Sequence, residues 1–154
     1  MSQQEDIKKI LNEYKVIAIV GLSKEPEKPS FQVGFYLKGQ GYKIIPVNPT
    51  VDKILGEKSY KSLLDIPVKI QRTIEIVDIF RRSEDVPPIV EQAVRLKQLY
   101  GVLSVVWMQS GIVNEAAAEV ARKAGLLVVM NKCIKRKHRS LSHVESSLSD
   151  QVEQ

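Results

Sequence analysis

A doubly wound α/β fold, one domain built on a mainly parallel five-stranded sheet, is what this sequence predicts. Three observations lead there. Apolar, β-branched runs alternate with segments of helical apolar spacing, the order that lays strands in parallel with helices on both faces. The runs are continuously apolar rather than alternating, as strands covered on both sides should be. The first of them, Val16 to Val20, ends at Gly21, a strand meeting a tight turn.

The elements follow in order. Ile7, Ile10 and Leu11 stand at helical spacing in residues 3–13, a leading helix expected to pack on the domain. After the first strand, Pro29-Ser30 opens a helix containing Phe31, Gly34 and Phe35, which Gly39 and Gly41 end. "YKIIPV" (42–47) is a second strand with a turn at "NPT", and one helical turn is expected near Ser62 to Leu64. "TIEIVDIF" (73–80) is the third strand. Ile89, Val90, Ala93, Val94 and Leu96 form one face of the next helix, with Pro87 and Pro88 in its first turn, where a missing N–H costs little. "VLSVVWM" (102–108) is the fourth strand, in which Trp107 and Met108 read as core. Asn114 caps an alanine-rich helix that stops at Gly125, and "LLVVM" (126–130) is the fifth strand. The domain is expected to span 14–141, with residues 142–154 as a flexible polar tail.

Composition narrows the function classes. At 154 residues and 44% hydrophobic, the chain is long enough to bury a core. "MSQQEDIKKI" is too polar for a signal peptide, and no apolar run approaches the roughly 18 residues of a membrane span. The single cysteine allows no internal disulfide, so a reducing, cytoplasmic setting is expected. The net charge of +5 is concentrated in "NKCIKRKHR" (131–139), either a phosphate attractor or a solvated basic segment. The run is short and lacks interleaved aromatics, which argues against nucleic acid.

Ligands of open parallel sheets bind beyond the carboxyl ends of the strands. The residues there are Gly21 to Lys24, Asn48 to Thr50, Phe80 to Ser83, Gln109 to Gly111 and Asn131 to Cys133. They supply small residues, amides, hydroxyls and cations, an anion-binding rim. Gly21 lets a backbone approach a ligand, and the helix opening near Ser30 offers N–H groups and partial positive charge. Arg81 and Arg82 match phosphate oxygens, although neighbours on a loop rarely point the same way, so one of the two is expected in solvent. Gly21 reads equally as an ordinary turn glycine, and Gly34 equally as a packing glycine. Ordinary NAD is disfavoured. G-x-G-x-x-G is absent, and "IIPVNP" ends without the acidic residue that holds an adenosine ribose. The P-loop pattern is absent as well.

The chain resembles the small stand-alone CoA-binding proteins, Rossmann-like relatives of the CoA-binding domain in the succinyl-CoA synthetase α-subunit. The matching stretches are "VGLS" (20–23), "KPS" (28–30), "GYKIIPVNP" (41–49), "GEKSYKSLLDIP" (56–67), "VDIFRRS" (77–83), "VVWMQSGI" (105–112) and "GLLVVMNKCIK" (125–135). The resemblance covers nearly the whole chain, from about Tyr14 to Leu141. The family usually has an aspartate near Asn131 and often an acidic residue around Arg136, and this chain departs at both. The resemblance implies coenzyme A, a nucleotide ligand, across the carboxyl edge of the sheet. Its phosphates would lie near Ser23, Lys24 and Ser30, with Asn48 and Pro49 bordering it. Phe80, Arg81 and Val86 would flank the adenosine end, and Gln109 and Gly111 the pantetheine. The 3′-phosphate gives Lys24 and Lys28 more charge to meet than NAD offers.

A non-catalytic binding or regulatory protein is the leading expectation. The synthetase relatives react through a phosphorylated histidine in a second domain. Here His138 and His143 lie in the basic tail, where histidines are mostly solvated, without an evident carboxylate partner, and no catalytic triad or metal spacing stands out. Two alternatives stay open: an NAD(P)-binding oxidoreductase or redox sensor, and CoA-disulfide chemistry through Cys133. Cations around Cys133 would favour thiolate, yet cysteine is often just a small hydrophobe. A protein partner or homo-oligomer is compatible with either class.

Overall fold

The structure is a computed structural model that describes residues 3–153, with side chains through residue 143. Five parallel strands form the sheet: β1 (Val16–Val20), β2 (Lys43–Val47), β5 (Ile76–Ile79), β6 (Val105–Met108) and β7 (Leu127–Val129), in the order β2-β1-β5-β6-β7. All five expected strands are present; the third, fourth and fifth are shorter than their apolar runs. A two-stranded hairpin, β3 (Lys53–Ile54) and β4 (Glu57–Lys58), follows β2. Leu55 and Gly56 at its tip both have positive φ, the two-residue turn whose twist matches antiparallel strands. β2 lies at the sheet edge, where Pro46 removes no needed ladder donor, and Tyr60 shields that edge by pairing with Val47.

Helices cover both faces. α1 (Gln3–Glu13), α2 (Pro29–Gly39) and α6 (Ile134–Glu153) pack on the face carrying Ile17, Ile19, Ile76, Val105 and Trp107. α4 (Val86–Tyr100) and α5 (Glu115–Lys123) pack on the face carrying Ala18, Val20, Val77, Ile79 and Val106, next to the short α3 (Val68–Gln71). Asn114 caps α5 as expected, accepting a hydrogen bond from the Ala117 amide, and Gly101 ends α4 in the left-handed region. α1 is fastened by the Tyr42 hydroxyl, which donates to the Leu11 carbonyl at 2.6 Å. Burial pushes that phenol up to about 12, with Tyr36 adding to the shift.

The basic segment 131–139 is a packed element. Its residues 134–139 open α6, with Ile134 fully buried. His138, expected as a solvated tail histidine, is half-buried between the rings of Tyr36 and Tyr42, and its Nδ1 lies 2.7 Å from the Tyr36 hydroxyl. Of residues 142–154, expected as a flexible tail, 142–153 lie in α6, and 154 lies outside the described residues.

One core residue runs against its surroundings. Asp78 on β5 is fully buried between Ile19 and Trp107, and neither carboxylate oxygen has a hydrogen-bond partner. Loss of water lifts its pKa well above 3.8, and the nearby Ile79 amide, outside hydrogen-bonding geometry, offsets this only in part. The folded state therefore keeps a proton that the unfolded chain releases, and stability should fall as pH rises from 3.8 toward the raised folded value. Asp78→Asn is expected to raise the unfolding temperature at pH 7.5 and to flatten its decline between pH 4.5 and 7.5. Parallel pH responses of variant and wild type in thermal unfolding would show that Asp78 carries no such cost.

Candidate functional site

The strand order reverses direction between β1 and β5, because β1 leads outward to β2 and the chain then crosses back to β5. That switch point opens a crevice at the carboxyl ends. Gly21 sits there at φ +90°, and its amide donates to the Val47 carbonyl at 2.9 Å. A Cβ at Gly21 would overlap the Phe80 carbonyl and approach Arg81 Nε at 3.3 Å. This turn therefore requires glycine twice, for its dihedral and for its contact with the end of β5. Arg81 leans over it. The adjacent Arg82 points away, exposed and paired with Asp85 at 3.0 Å and Glu84 at 3.5 Å. The two arginines diverge as loop neighbours should, and Arg81 is the one at the crevice.

From Gly21 the chain runs to the start of α2 through a loop that bonds to itself. The Ser30 hydroxyl accepts from the Ser23 amide at 2.9 Å, and the Ser23 hydroxyl accepts from the Glu25 amide at 3.0 Å. Each hydroxyl keeps its own proton as a donor. Pro29 occupies the first helical position, no side chain caps the terminus, and the first turn has no acidic residue. Lys24 and Lys28 are both exposed beside it. Gly34, which the sequence left between packing and ligand approach, packs: a Cβ there would lie 3.0 Å from Leu55 Cδ1 and 3.1 Å from Leu22 Cδ1.

Asn48 ties the second loop to the first. Its Nδ2 donates to the Leu22 carbonyl at 3.0 Å, and its Oδ1 accepts from the Thr50 amide at 2.9 Å. Pro49 and Arg81 line a cleft of about 330 Å³ on the α4 side of the crevice, together with Lys61, Ser62, Asp85 and Ile89. Phe80 is half-buried on the opposite face. Val86, expected at the cleft, is fully buried beneath it, and Ile89 is the apolar residue that α4 presents there. Lys61, Ser62, Asp85 and Gln92 were not singled out by sequence; only the fold brings their segments to Arg81.

The last two loops also interlock. Gln109 is nearly fully buried, and its Oε1 accepts from the Ile134 amide at 3.2 Å, so it serves the start of α6 instead of facing outward. Gly111 is exposed at φ +81°, with its amide donating to Asn131 Oδ1 at 2.7 Å. An aspartate at 131 would offer the same acceptor, so the amide keeps this loop contact. Cys133 is half-buried against the α2–α6 core. Among the described residues, no group of three or more His, Cys, Asp and Glu could hold a metal ion, and no helix is long and apolar enough to cross a membrane.

A family model described as a CoA binding domain matches residues 15–139. An uncharacterised protein of Bacillus subtilis, YneT, is 41% identical over 133 residues, which span 86% of this chain and 92% of that one. An ADP-forming acetate–CoA ligase of Archaeoglobus fulgidus is 32% identical over 74% of this chain but only 17% of its own length. Among solved structures, a hypothetical protein from Pyrococcus horikoshii superposes with a TM-score of 0.81 at 41% identity, covering 91% of this chain and 92% of that one.

The Gly21 contact is directly testable. Gly21→Ala should lose at least about 1–2 kcal/mol from the left-handed backbone alone, and more from the clash with the Phe80 carbonyl. Gly39→Ala, where a Cβ meets nothing within 4 Å, is the control and should leave stability unchanged or raise it. Urea unfolding measures both, and a Gly21→Ala protein as stable as wild type would mean that the turn is not held as described.

Proposed function

Because the chain belongs to the CoA-binding domain family, we propose that it binds coenzyme A or a small acyl-CoA at the carboxyl edge of its sheet, as a binding or regulatory protein. The observation that carries this reading is Arg81, leaning over the Gly21 turn at the switch point beside the uncapped, acid-free start of α2. A guanidinium and a helix N-terminus on either side of a glycine turn suit a polyphosphate. Ser23, Lys24 and Ser30 would meet the pyrophosphate. Asn48 would hold the loops that border the ligand beside Pro49. Arg81 and Lys61 would receive the adenosine end and its 3′-phosphate in the cleft; Phe80, on the opposite face, lies outside it. Gly111 would border the pantetheine, with Gln109 buried beneath it, and Val86 would support the adenosine cleft from below.

No residue is assigned a catalytic role. His138 is engaged with Tyr36, and His143 is exposed on α6. The ligase relatives do their chemistry in chains of which this one matches a small fraction.

Thermal unfolding with CoA, dephospho-CoA, acetyl-CoA, NAD and NADP side by side tests the ligand. CoA at 100 times its dissociation constant should add about 2.7 kcal/mol of stability, and stabilisation by NAD but not CoA would overturn the assignment. Arg81→Ala should weaken CoA by about 1.5–3 kcal/mol, roughly ten- to 150-fold, if it makes a charge-assisted phosphate contact. Arg82→Ala, altering an arginine already paired in solvent, should leave affinity unchanged in titration calorimetry.

A further inference from the structure

The outer face of α2 breaks the rule for a surface helix. Its inner face buries Ser30, Val33, Gly34 and Leu37, and the opposite side should then be polar. Instead Phe31 and Phe35 stack one turn apart, ring centroids 6.2 Å and interplanar angle 16°, and Phe35 is 66% exposed. They line a groove of about 470 Å³ between α2 and the start of α6, completed by Pro26, Tyr36, Gly39 and Lys135. That volume lies within the roughly 300–1,000 Å³ of small-molecule sites. The lining is mainly apolar, and Lys135 Nζ stands over the Tyr36 ring at 5.6 Å from its centroid.

Two of the groove's lining residues belong to segments that also frame the candidate site. Pro26 belongs to the loop that runs from the Gly21 turn to the start of α2. Lys135 lies in the first turn of α6, one residue after Ile134, whose amide donates to the Gln109 side chain at the end of β6. A ligand with its phosphates at Ser23 and its pantetheine beside Gly111 would extend from the Asn131 loop, which Gly111 contacts, toward Lys135 to enter this trough. On the reading that the edge binds CoA, we infer that this groove takes the apolar acyl chain of a medium-chain acyl-CoA. Burying methylenes against two phenylalanines supplies a hydrophobic gain that a free thiol or an acetyl group cannot reach. Gly39, where an added Cβ meets nothing within 4 Å, leaves the far end of the trough open.

Titration calorimetry of the full chain with CoA, acetyl-, butyryl-, hexanoyl- and octanoyl-CoA tests this, at concentrations where the acyl-CoAs are monomeric. Affinity should rise with chain length, by up to about fourfold per buried methylene. Phe35→Ser should flatten that rise and leave free CoA affinity within about twofold, since Phe35 lies outside the phosphate loops. Gly39→Leu should preserve the gain for butyryl-CoA and remove it for octanoyl-CoA by filling the open end. Equal affinity for acetyl- and octanoyl-CoA would overturn the inference while leaving CoA binding standing. So would a chain-length gain that survives in Phe35→Ser, or a wild-type dimer that Phe35→Ser converts to monomer, which would assign the groove to a second copy. Absence of binding by free CoA and every acyl-CoA would instead remove the CoA reading, and the groove assignment with it.

Discussion

The contact between Gly21 and the Phe80 carbonyl sets the carboxyl edge of this sheet. Two parallel strands whose connections leave in opposite directions end side by side at the switch point, and their loops compete for the same space. Here β1 yields by turning at φ +90° with no side chain, so that the backbone after β5 can pass directly against it. Everything outward inherits that geometry. Leu22 is turned into the core and held through its carbonyl by Asn48. Ser23 is then placed to donate its amide to Ser30, which brings the start of α2 to the crevice. A side chain at 21 would separate the two strand ends and with them Arg81 from the helix N-terminus.

The charge arrangement follows from the same packing. Arg81 is half-buried over the glycine turn, whereas Arg82, one residue on, finds Asp85 and Glu84 in solvent. The divergence leaves one cation facing the crevice and neutralises the other, so the positive charge at the edge is localised rather than spread. Asp78, in the same strand beneath the site, is a cost inside the core with no compensating partner. A carboxyl placed there by strand alternation cannot reach water from either sheet face, since α1, α2 and α6 close the side it points to.

The legible parts of the fold were those written in local pattern. Continuous apolar runs between helical segments marked five parallel strands, and Asn114 and the Pro87-Pro88 pair agree with the helix starts observed. The hairpin at Lys53–Lys58 carried no strong signal, because its turn is Leu55-Gly56 and leucine seldom adopts positive φ. The start of α6 read as a solvated basic segment because its lysines and arginines outnumber the residues it buries. Ile134 and Leu141 against the sheet, and His138 between two tyrosine rings, are what hold it.

Sequence alone determined the layered architecture, the glycine at the first turn, the ring of donors and cations at the strand ends, and the absence of a dinucleotide fingerprint. These are properties of spacing and residue type along the chain. Tertiary structure decided which members of that ring face the crevice. Arg81 rather than Arg82, Ile89 rather than Val86, and Gln109 turned inward to Ile134 depend on side-chain direction and on segments distant in sequence. The same holds for Lys61 beside Arg81 and for the groove that α6 closes against Phe31 and Phe35. Local periodicity assigns a residue to a face; only packing between faces says what that residue meets.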